Sequence, residues 1–429
     1  MKYLSTQPPR WTKDRLPEEF AIRHYIFETW RKVCLSFAYE EYMTPLVEDA
    51  DLYRSKSGED VGGTELTLIH DRWGRDIALR PEMTPSVTRL VAGQYAQMSK
   101  PIRLFSIANF YRNEKPQRGR NREFWQLNAD IFGVENLLAD REILQLWLEI
   151  MKAFDVPDGS FELRVNHRIL IDDFLRDICW LSVELMQETT RTMDKRDKLS
   201  EDDFSATLQK KWLKRWQIDA IVVLLKTNDL TALMSAYPWL ADSVGMKELT
   251  SLMWSLSALW YGWYVKFSPR LMRWFDYYDG MIFEVFDLHP DNNRAMFGGG
   301  RYNGLAWIFG MDPFPSVGFA PGDETMRLFL ESRNLVEKIR DQVKSDVYFI
   351  PLLDEKFDGI CQTLAFDLRG EWKMVELWLS VKKLGKAIEY ANKKWVSHVV
   401  IVGEEEVNAW WYKIKDMKSG DERVVSLNM

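Results

Sequence analysis

Apolar positions repeat along this chain with two periods, and the changes of period mark its elements. Over residues 17–38 apolar and charged residues interleave at helical spacing, after Pro17-Glu18-Glu19, a start that suits a helix N-terminus. Residues 42–48 read as a strand, and 65–79 as a hairpin turning at Asp71 to Arg75. Residues 111–133, YRNEKPQRGRNREFWQLNADIFG, read as strand, basic loop and strand, with the turn at Pro116 to Gly119. A long amphipathic helix is predicted over 136–154. Helical patterning runs from about 167 to 260, interrupted by charged connections such as 194–203. Strand patterning returns at 280–288, followed by GGGRYNGL at 298–305 and a helix over 323–334. From Asp346 onward β and α alternate: strand in DVYFIPL, helix 357–369, strand 375–381, helix 385–394, strand 398–403. That alternation implies a small α/β domain with a largely parallel sheet, and the charged stretch 337–345 is the expected boundary before it.

Composition changes this picture little. A chain of 429 residues has room for two or three domains, and 46% hydrophobic with 28% charged residues describes a soluble globular protein. No apolar run is long enough to span a membrane, and the N-terminal MKYLSTQPPRW lacks the apolar core of a signal peptide. Cys34, Cys179 and Cys361 are odd in number and far apart, which points to a reducing cytoplasm rather than a disulfide framework or a zinc site. The five histidines are scattered without metal-ligand spacing, so no metal ligands are assigned. A net charge of −7 argues against non-specific nucleic-acid binding but leaves room for a local basic surface.

The densest candidate chemistry lies in the 111–133 hairpin. Arg112, Arg118, Arg120 and Arg122 surround a tight loop, and guanidinium forks match phosphate oxygens bidentately. Glu114 cannot bind phosphate, but its carboxylate can accept from an exocyclic amine. Phe124 offers a flat face to a base. One hairpin thus has the parts for a nucleoside triphosphate, although an exposed salt-bridged hairpin would have the same composition.

With these motifs in order, the chain resembles the histidyl-tRNA synthetases, class II aminoacyl-tRNA synthetases. The hairpin is similar to the second class-defining motif, and ALRPEMTPSVTRLVA (78–92) to the RPE-x-T amino-acid-binding segment. RLMRWFDYYDGMIFE (270–284) resembles the histidine-specific RGLDYY segment, and 297–305 the GGRYDGL-type turn. Residues 315–330 stand where the third class motif belongs, and the C-terminal region resembles the anticodon-binding domain. The resemblance implies an α+β fold: a catalytic domain over 1–336 with an antiparallel sheet flanked by helices and a helical insertion at 167–260, then an α/β anticodon-binding domain over 346–429. It implies a homodimer that uses ATP and Mg²⁺ to form histidyl-adenylate and then charges tRNA(His).

By the same resemblance, Arg112 and Arg273 are the catalytic residues. Glu114, Arg120 and Phe124 join Arg112 in binding ATP, with Arg120 at the γ-phosphate. Glu82, Met83, Thr84, Gln126, Asp130, Tyr277 and Tyr278 bind histidine, the last three forming the imidazole site. Imidazole offers one N–H donor and one acceptor on a flat ring, which such a set of side chains can match. Asp130 stands where many bacterial members carry Glu. Arg327 lies two positions late for the usual third-motif arginine and is left out of the site. Lys382, Lys383, Lys386, Lys393 and Lys394 suit tRNA phosphates or, equally, a solvated helix face. The alternative is a non-catalytic paralogue of the same fold, the regulatory subunit of ATP phosphoribosyltransferase. It lacks the anticodon-binding domain, and the domain after Asp346 argues against it.

One feature does not fit. The chain has 19 tryptophans against 23 glycines, and several stand where glycine is expected: Trp11, Trp73, Trp274, Trp372 and Trp395, with Trp307 and Trp410 as weaker cases. A hairpin tip at Trp73 and a helix C-terminus at Trp395 are positions where φ > 0 is commonly required. Trp125 and Trp147 suit their strand and helix. UGA codons written as tryptophan, but read as glycine in the source cell, would account for the pattern.

Overall fold

The computed structural model describes residues 4–10, 12–55, 60–115, 117–196, 199–272, 277–292, 295–343 and 347–427. The chain divides into two compact units, Met1–Arg333 and Asn334–Met429. Arg273, Trp274 and Trp11, singled out above, lie outside the described residues.

The first unit contains β1 (Glu40–Glu41), β2 (Val47–Asp49), β3 (Thr67–His70), β4 (Asp76–Leu79), β5 (Ile102–Tyr111), β6 (Glu123–Phe132), β7 (Phe161–His167), β8 (Val265–Phe267), β9 (Met281–Asp287), β10 (Ala295–Arg301) and β11 (Ser316–Phe319). Eight of them form one sheet in the order β1-β5-β6-β11-β10-β9-β7-β8. The inner strands are antiparallel, and the two edge pairs, β1 with β5 and β7 with β8, run parallel. A separate antiparallel sheet has the order β2-β4-β3.

At the centre, β5 and β6 pair in unbroken register from Ile102↔Phe132 to Tyr111↔Glu123. Successive side chains of a strand point to opposite faces, so β6 sorts its residues into two lines. Trp125, Leu127, Ala129 and Ile131 form one line. Trp125 packs against Phe27 of the helix Pro17–Ser36, the rings tilted by 37° and 5.2 Å apart between centres. The amphipathic helix Leu138–Ala153 also packs on the sheet, and its fully buried Trp147 meets Phe297 of β10 at 4.1 Å. Phe124, Gln126, Asn128 and Asp130 form the other line, over a core that includes Met83, Val87, Phe110, Phe132, Tyr277 and Tyr302. The helices Arg168–Asp173, Val183–Asp194, Glu201–Lys210, Arg215–Lys226, Leu230–Ala236 and Val244–Ala258 occupy the stretch between β7 and β8.

The second unit contains β12 (Val347–Ile350), β13 (Met374–Leu377), β14 (His398–Ile401), β15 (Trp411–Asp416) and β16 (Glu422–Ser426), in the order β13-β12-β14-β15-β16. Only β13-β12-β14 is parallel; β14, β15 and β16 are antiparallel. The helices Asp358–Gly370 and Leu384–Lys394 cross between the parallel strands.

Four expectations need correction. The stretch 42–48 is not a continuous strand: only Val47 and Glu48 belong to one, β2, and Pro45 ahead of them has no N–H to donate. GGGRYNGL is not a turn. Its glycines finish β10 and Asn303–Phe309 form a 3₁₀ helix, because β10 is squeezed between β9 and β11 where side chains do not fit. The presumed boundary is itself a helix, Leu335–Val343, whose Leu335, Val336 and Ile339 make a buried face. Trp73 does not hold the left-handed position of its turn. The Asp71 side chain accepts from the Trp73 and Arg75 N–H groups at 2.8 and 2.9 Å, and the left-handed residue is Gly74, at φ +79°. Trp307 likewise sits inside the 3₁₀ helix, which Gly310 closes at φ +68°.

Candidate active site

The candidate site follows the even-numbered line of β6. From Phe124 to Asp130 is six residue steps, roughly 20 Å of strand, a length suited to a nucleotide and an amino acid end to end.

At one end stands the basic loop. The Arg112 N–H donates to the Arg122 carbonyl at 2.9 Å, and the loop closes by mutual Gln117–Arg120 bonds with Gly119 at φ +78°. The Arg112 Nε donates to the Pro81 carbonyl at 3.0 Å, and its guanidinium lies 5.3 Å from the centre of the Phe124 ring. Phe124 also stacks on Phe110 at 5.9 Å. Arg120 Nη1 donates to Glu114 Oε2 at 3.1 Å, so the residues expected at the γ-phosphate and at the base hold one another. Beneath the loop, buried Arg80 donates to Asn109 O and Thr44 O, both at 2.9 Å. It joins the small sheet to β5 and places Pro81, Glu82 and Met83.

At the other end lies a buried polar cluster. Asp130 Oδ1 accepts from the Tyr302 hydroxyl at 2.6 Å, and Glu82 Oε2 accepts from the Tyr277 hydroxyl at 2.9 Å. All four residues are buried. The Tyr277 ring lies 4.8 Å from Tyr278 and 6.0 Å from Tyr302. Burial raises Asp130 to about 7, against the lowering pull of the Tyr302 hydrogen bond. Burial also holds Tyr277 and Tyr302 well above the usual phenol range, so both remain donors. Gly318 of β11 sits opposite Asp130, and a Cβ there would overlap the carboxylate. Between the two ends, the Gln126 side-chain oxygen is buried with no partner among the described residues. Met83 precedes the helix Thr84–Ala92, and Thr84 is its first residue.

Tyr302 had no assigned role in the sequence reading. The signal was there in GGGRYNGL: neighbouring strand residues face opposite ways. Arg301 turns to Asp140 of the helix Leu138–Ala153, donating at 2.6 Å and also to Val134 and Asn136 carbonyls, while Tyr302 turns the other way, to Asp130. Asp279, just after Tyr278, accepts from the N–H groups of Asn303 and Gly304 at 3.2 and 2.9 Å and ties the two motifs together. In the third-motif region Asp323 accepts from the Trp125 N–H at 3.0 Å and pairs with Arg23. Arg327 pairs along its own helix with Glu324 and Glu331 at 2.8 and 3.1 Å. In the second unit Lys386 and Lys393 both pair with Glu389, at 3.3 and 3.0 Å.

Among the described residues, no helix is long and apolar enough to cross a membrane. The family model described as histidyl-tRNA synthetase matches residues 11–324, and that of an anticodon binding domain matches 346–429. A histidine–tRNA ligase of Leptospira biflexa is 36% identical over 425 residues, covering 99% of this chain and 96% of the relative. One from Pyrococcus horikoshii is 36% identical over 423 residues, covering 97% and 96%. The solved histidyl-tRNA synthetase of Nostoc sp. PCC 7120 superposes with a TM-score of 0.83 at 20% identity, over 99% of this chain and 97% of that one. A Bacillus halodurans structure titled ATP phosphoribosyltransferase regulatory subunit/histidyl-tRNA synthetase gives 0.73 at 20% identity, over 91% and 97%. At that identity the two structures speak to the fold, and the family rests on the sequence matches, which span nearly the whole chain. On that evidence the chain belongs to the histidyl-tRNA synthetase family.

Proposed function

We propose that the protein activates histidine with ATP and passes the histidyl group to the 3′ end of tRNA(His), as a cytoplasmic homodimer. The observation that carries this reading is the line Phe124, Gln126, Asp130 on one strand face. It has arginines at one end and a buried carboxylate–tyrosine cluster at the other.

In this reading a carboxylate oxygen of histidine attacks the α-phosphorus of ATP, and pyrophosphate leaves. A hydroxyl of the tRNA 3′ end then attacks the acyl carbon, and AMP leaves. Both steps build charge at a crowded centre, so positioning and fixed positive charge supply most of the acceleration. Arg112 has one edge engaged by the Pro81 carbonyl, which orients the rest of its fork for the α-phosphate. Arg120 must release Glu114 to reach the γ-phosphate, and that release frees Glu114 to accept from the adenine amine. Mg²⁺ would accompany the triphosphate and offset its charge, and no residue of this chain is assigned to hold it. Arg273 is proposed for the reacting carboxylate and α-phosphate on sequence grounds alone.

The buried Gln126 oxygen and the Glu82 carboxylate suit the ammonium group of histidine, with Met83 and Thr84 at the adjoining helix start. Asp130, held by Tyr302, suits the imidazole N–H, with Tyr277 and Tyr278 along the ring. The segment 1–336 is proposed as the catalytic domain, with 167–260 inserted, and 346–429 as the anticodon-binding domain.

Histidine-dependent exchange of pyrophosphate into ATP tests the first step, and charging of tRNA(His) the second. Exchange with histidine and with no other amino acid is the expected result. No exchange with any amino acid would sink the proposal and favour the non-catalytic paralogue.

A further inference from the structure

Nine non-glycine residues among those described hold φ between +53° and +68°. Six are tryptophans: Trp180, Trp212, Trp260, Trp372, Trp395 and Trp410. With 19 tryptophans in 429 residues, nine positions taken without regard to residue type would include fewer than one. Left-handed backbone belongs to glycine, then to Asn and Asp, and it is an outlier for a bulky side chain.

All six stand just past a helical segment. Trp212 follows Glu201–Lys210, Trp260 follows Val244–Ala258, Trp372 follows Asp358–Gly370, and Trp410 follows Glu404–Asn408. Trp395 caps Leu384–Lys394, and Trp180 follows the π-helical turn Phe174–Ile178. Four of these ends carry the complete paired bonding of a helix stop. The N–H groups of Trp212 and Leu213 donate to Gln209 and Leu208 carbonyls at 3.0 and 3.3 Å. Those of Trp260 and Tyr261 donate to Ser257 and Leu256 at 3.0 and 2.9 Å. Trp372 with Lys373, and Trp395 with Val396, repeat the pattern on Arg369 with Leu368 and on Asn392 with Ala391. The left-handed residue of that stop is ordinarily glycine, and an apolar residue follows it. Leu213, Tyr261 and Val396 are that residue, and all are buried. Backbone and neighbours follow the glycine plan, and only the side chain at the left-handed position departs from it.

The six are largely exposed, between 60% and 96%, although the Trp180 ring meets Trp216 edge to face at 5.8 Å. Other tryptophans behave differently. Trp30 and Trp147 are fully buried, and Trp378 packs on Phe349 and Tyr390 at 5.0 and 5.4 Å. A binding surface would gather indoles in one place. These six are scattered over both units and share a backbone conformation instead.

We propose that these six positions are glycine in the protein as its own cell makes it, encoded by UGA and decoded by a glycine-bearing tRNA. UGA differs from the tryptophan codon UGG only in its third base. Trp372, Trp395 and Trp410 already stood out in the sequence. Trp180, Trp212 and Trp260 are identified by the backbone alone.

The test is peptide mass spectrometry of the protein purified from its source cells, alongside the gene sequence. Glycine at all six positions, with tryptophan retained at 30, 147 and 378, is the expected result. Tryptophan at any of the six, from a UGG codon, overturns the proposal. A second measurement compares recombinant chains. Replacing all six by glycine is expected to raise the thermal midpoint above that of the chain as written. Replacing all six by alanine, which removes the indole but keeps the Cβ, is expected to raise it much less. Equal gains from glycine and alanine would remove the backbone argument and overturn the assignment on physical grounds.

Discussion

The two ends of the β6 line are built on opposite principles. At the Asp130 end the polar groups are buried and already bonded to one another, hydroxyl to carboxylate, around a residue of β6, which is paired on both sides. At the Arg112 end the groups sit on a loop, and the Arg120 side chain is 56% exposed while paired with Glu114. The difference follows from what each end is proposed to recognise. A small heterocycle must be told from near-isosteres, and discrimination comes from buried groups left unpaired by the wrong ligand. A triphosphate brings its own charge, and solvated guanidinium groups can meet it and release it again.

This comparison predicts a graded set of effects. The largest is expected for Arg112→Ala, with a loss of roughly 10²–10³ in kcat for pyrophosphate exchange and little change in thermal midpoint. A change confined to KM for ATP would assign Arg112 to ground-state binding instead. Asp130→Ala comes next, leaving the Tyr302 hydroxyl and the substrate imidazole unpaired in a buried site. Its cost in kcat/KM for histidine is expected at about 3 kcal/mol, or roughly 10²-fold, with ATP binding unaffected. Equal losses for both substrates would show that the two ends are not separable. Tyr302→Phe should cost about 1 kcal/mol in the same parameter, and would raise Asp130 further by removing the hydrogen bond that lowers it. The smallest effect is expected for Arg120→Ala, a several-fold rise in KM for ATP that shrinks with added salt, as for an exposed, screened charge.

The pH dependence sharpens the same contrast. Asp130 rises from an ordinary 3.8 to about 7 in the folded protein, so the folded state holds the proton more tightly. Its contribution to stability is therefore fully present below 3.8 and is lost as pH rises through about 7. Unfolding of the ligand-free protein between pH 4 and 8 should show this loss, and Asp130→Asn should flatten it. A profile unchanged by Asp130→Asn would mean that the carboxyl is less buried in solution than its neighbours imply.

Legibility in the sequence followed the range of the interactions involved. The helix over 17–38 and the second strand of the hairpin were readable because a local period sets which side faces the core, whereas the first strand, expected to start at Tyr111, in fact ends there. The α/β alternation after Asp346 was readable for the same reason, but the β15–β16 hairpin that makes half of that sheet antiparallel was missed. The place of GGGRYNGL was misread because glycine promises freedom locally. Here it serves close approach to the strands on either side, β9 and β11, a need set by the pairing partners and not by the segment itself.

The sequence by itself determined the element order, the two-part organisation of the patterning and the residue types gathered at 82–84, 112–130 and 277–278. These follow from local period, turn chemistry and charge, which need no partner elsewhere in the chain. Tertiary structure alone decided that Tyr302 rather than Arg301 meets Asp130, that Arg120 and Glu114 hold each other, and that six tryptophans lie on left-handed backbone. The first depends on the packing of distant segments; the other two are local, but they turn on a side-chain pairing and on dihedral angles that only the folded chain displays. Burial then gives a carboxylate that looks ordinary in the sequence a proton affinity near neutrality.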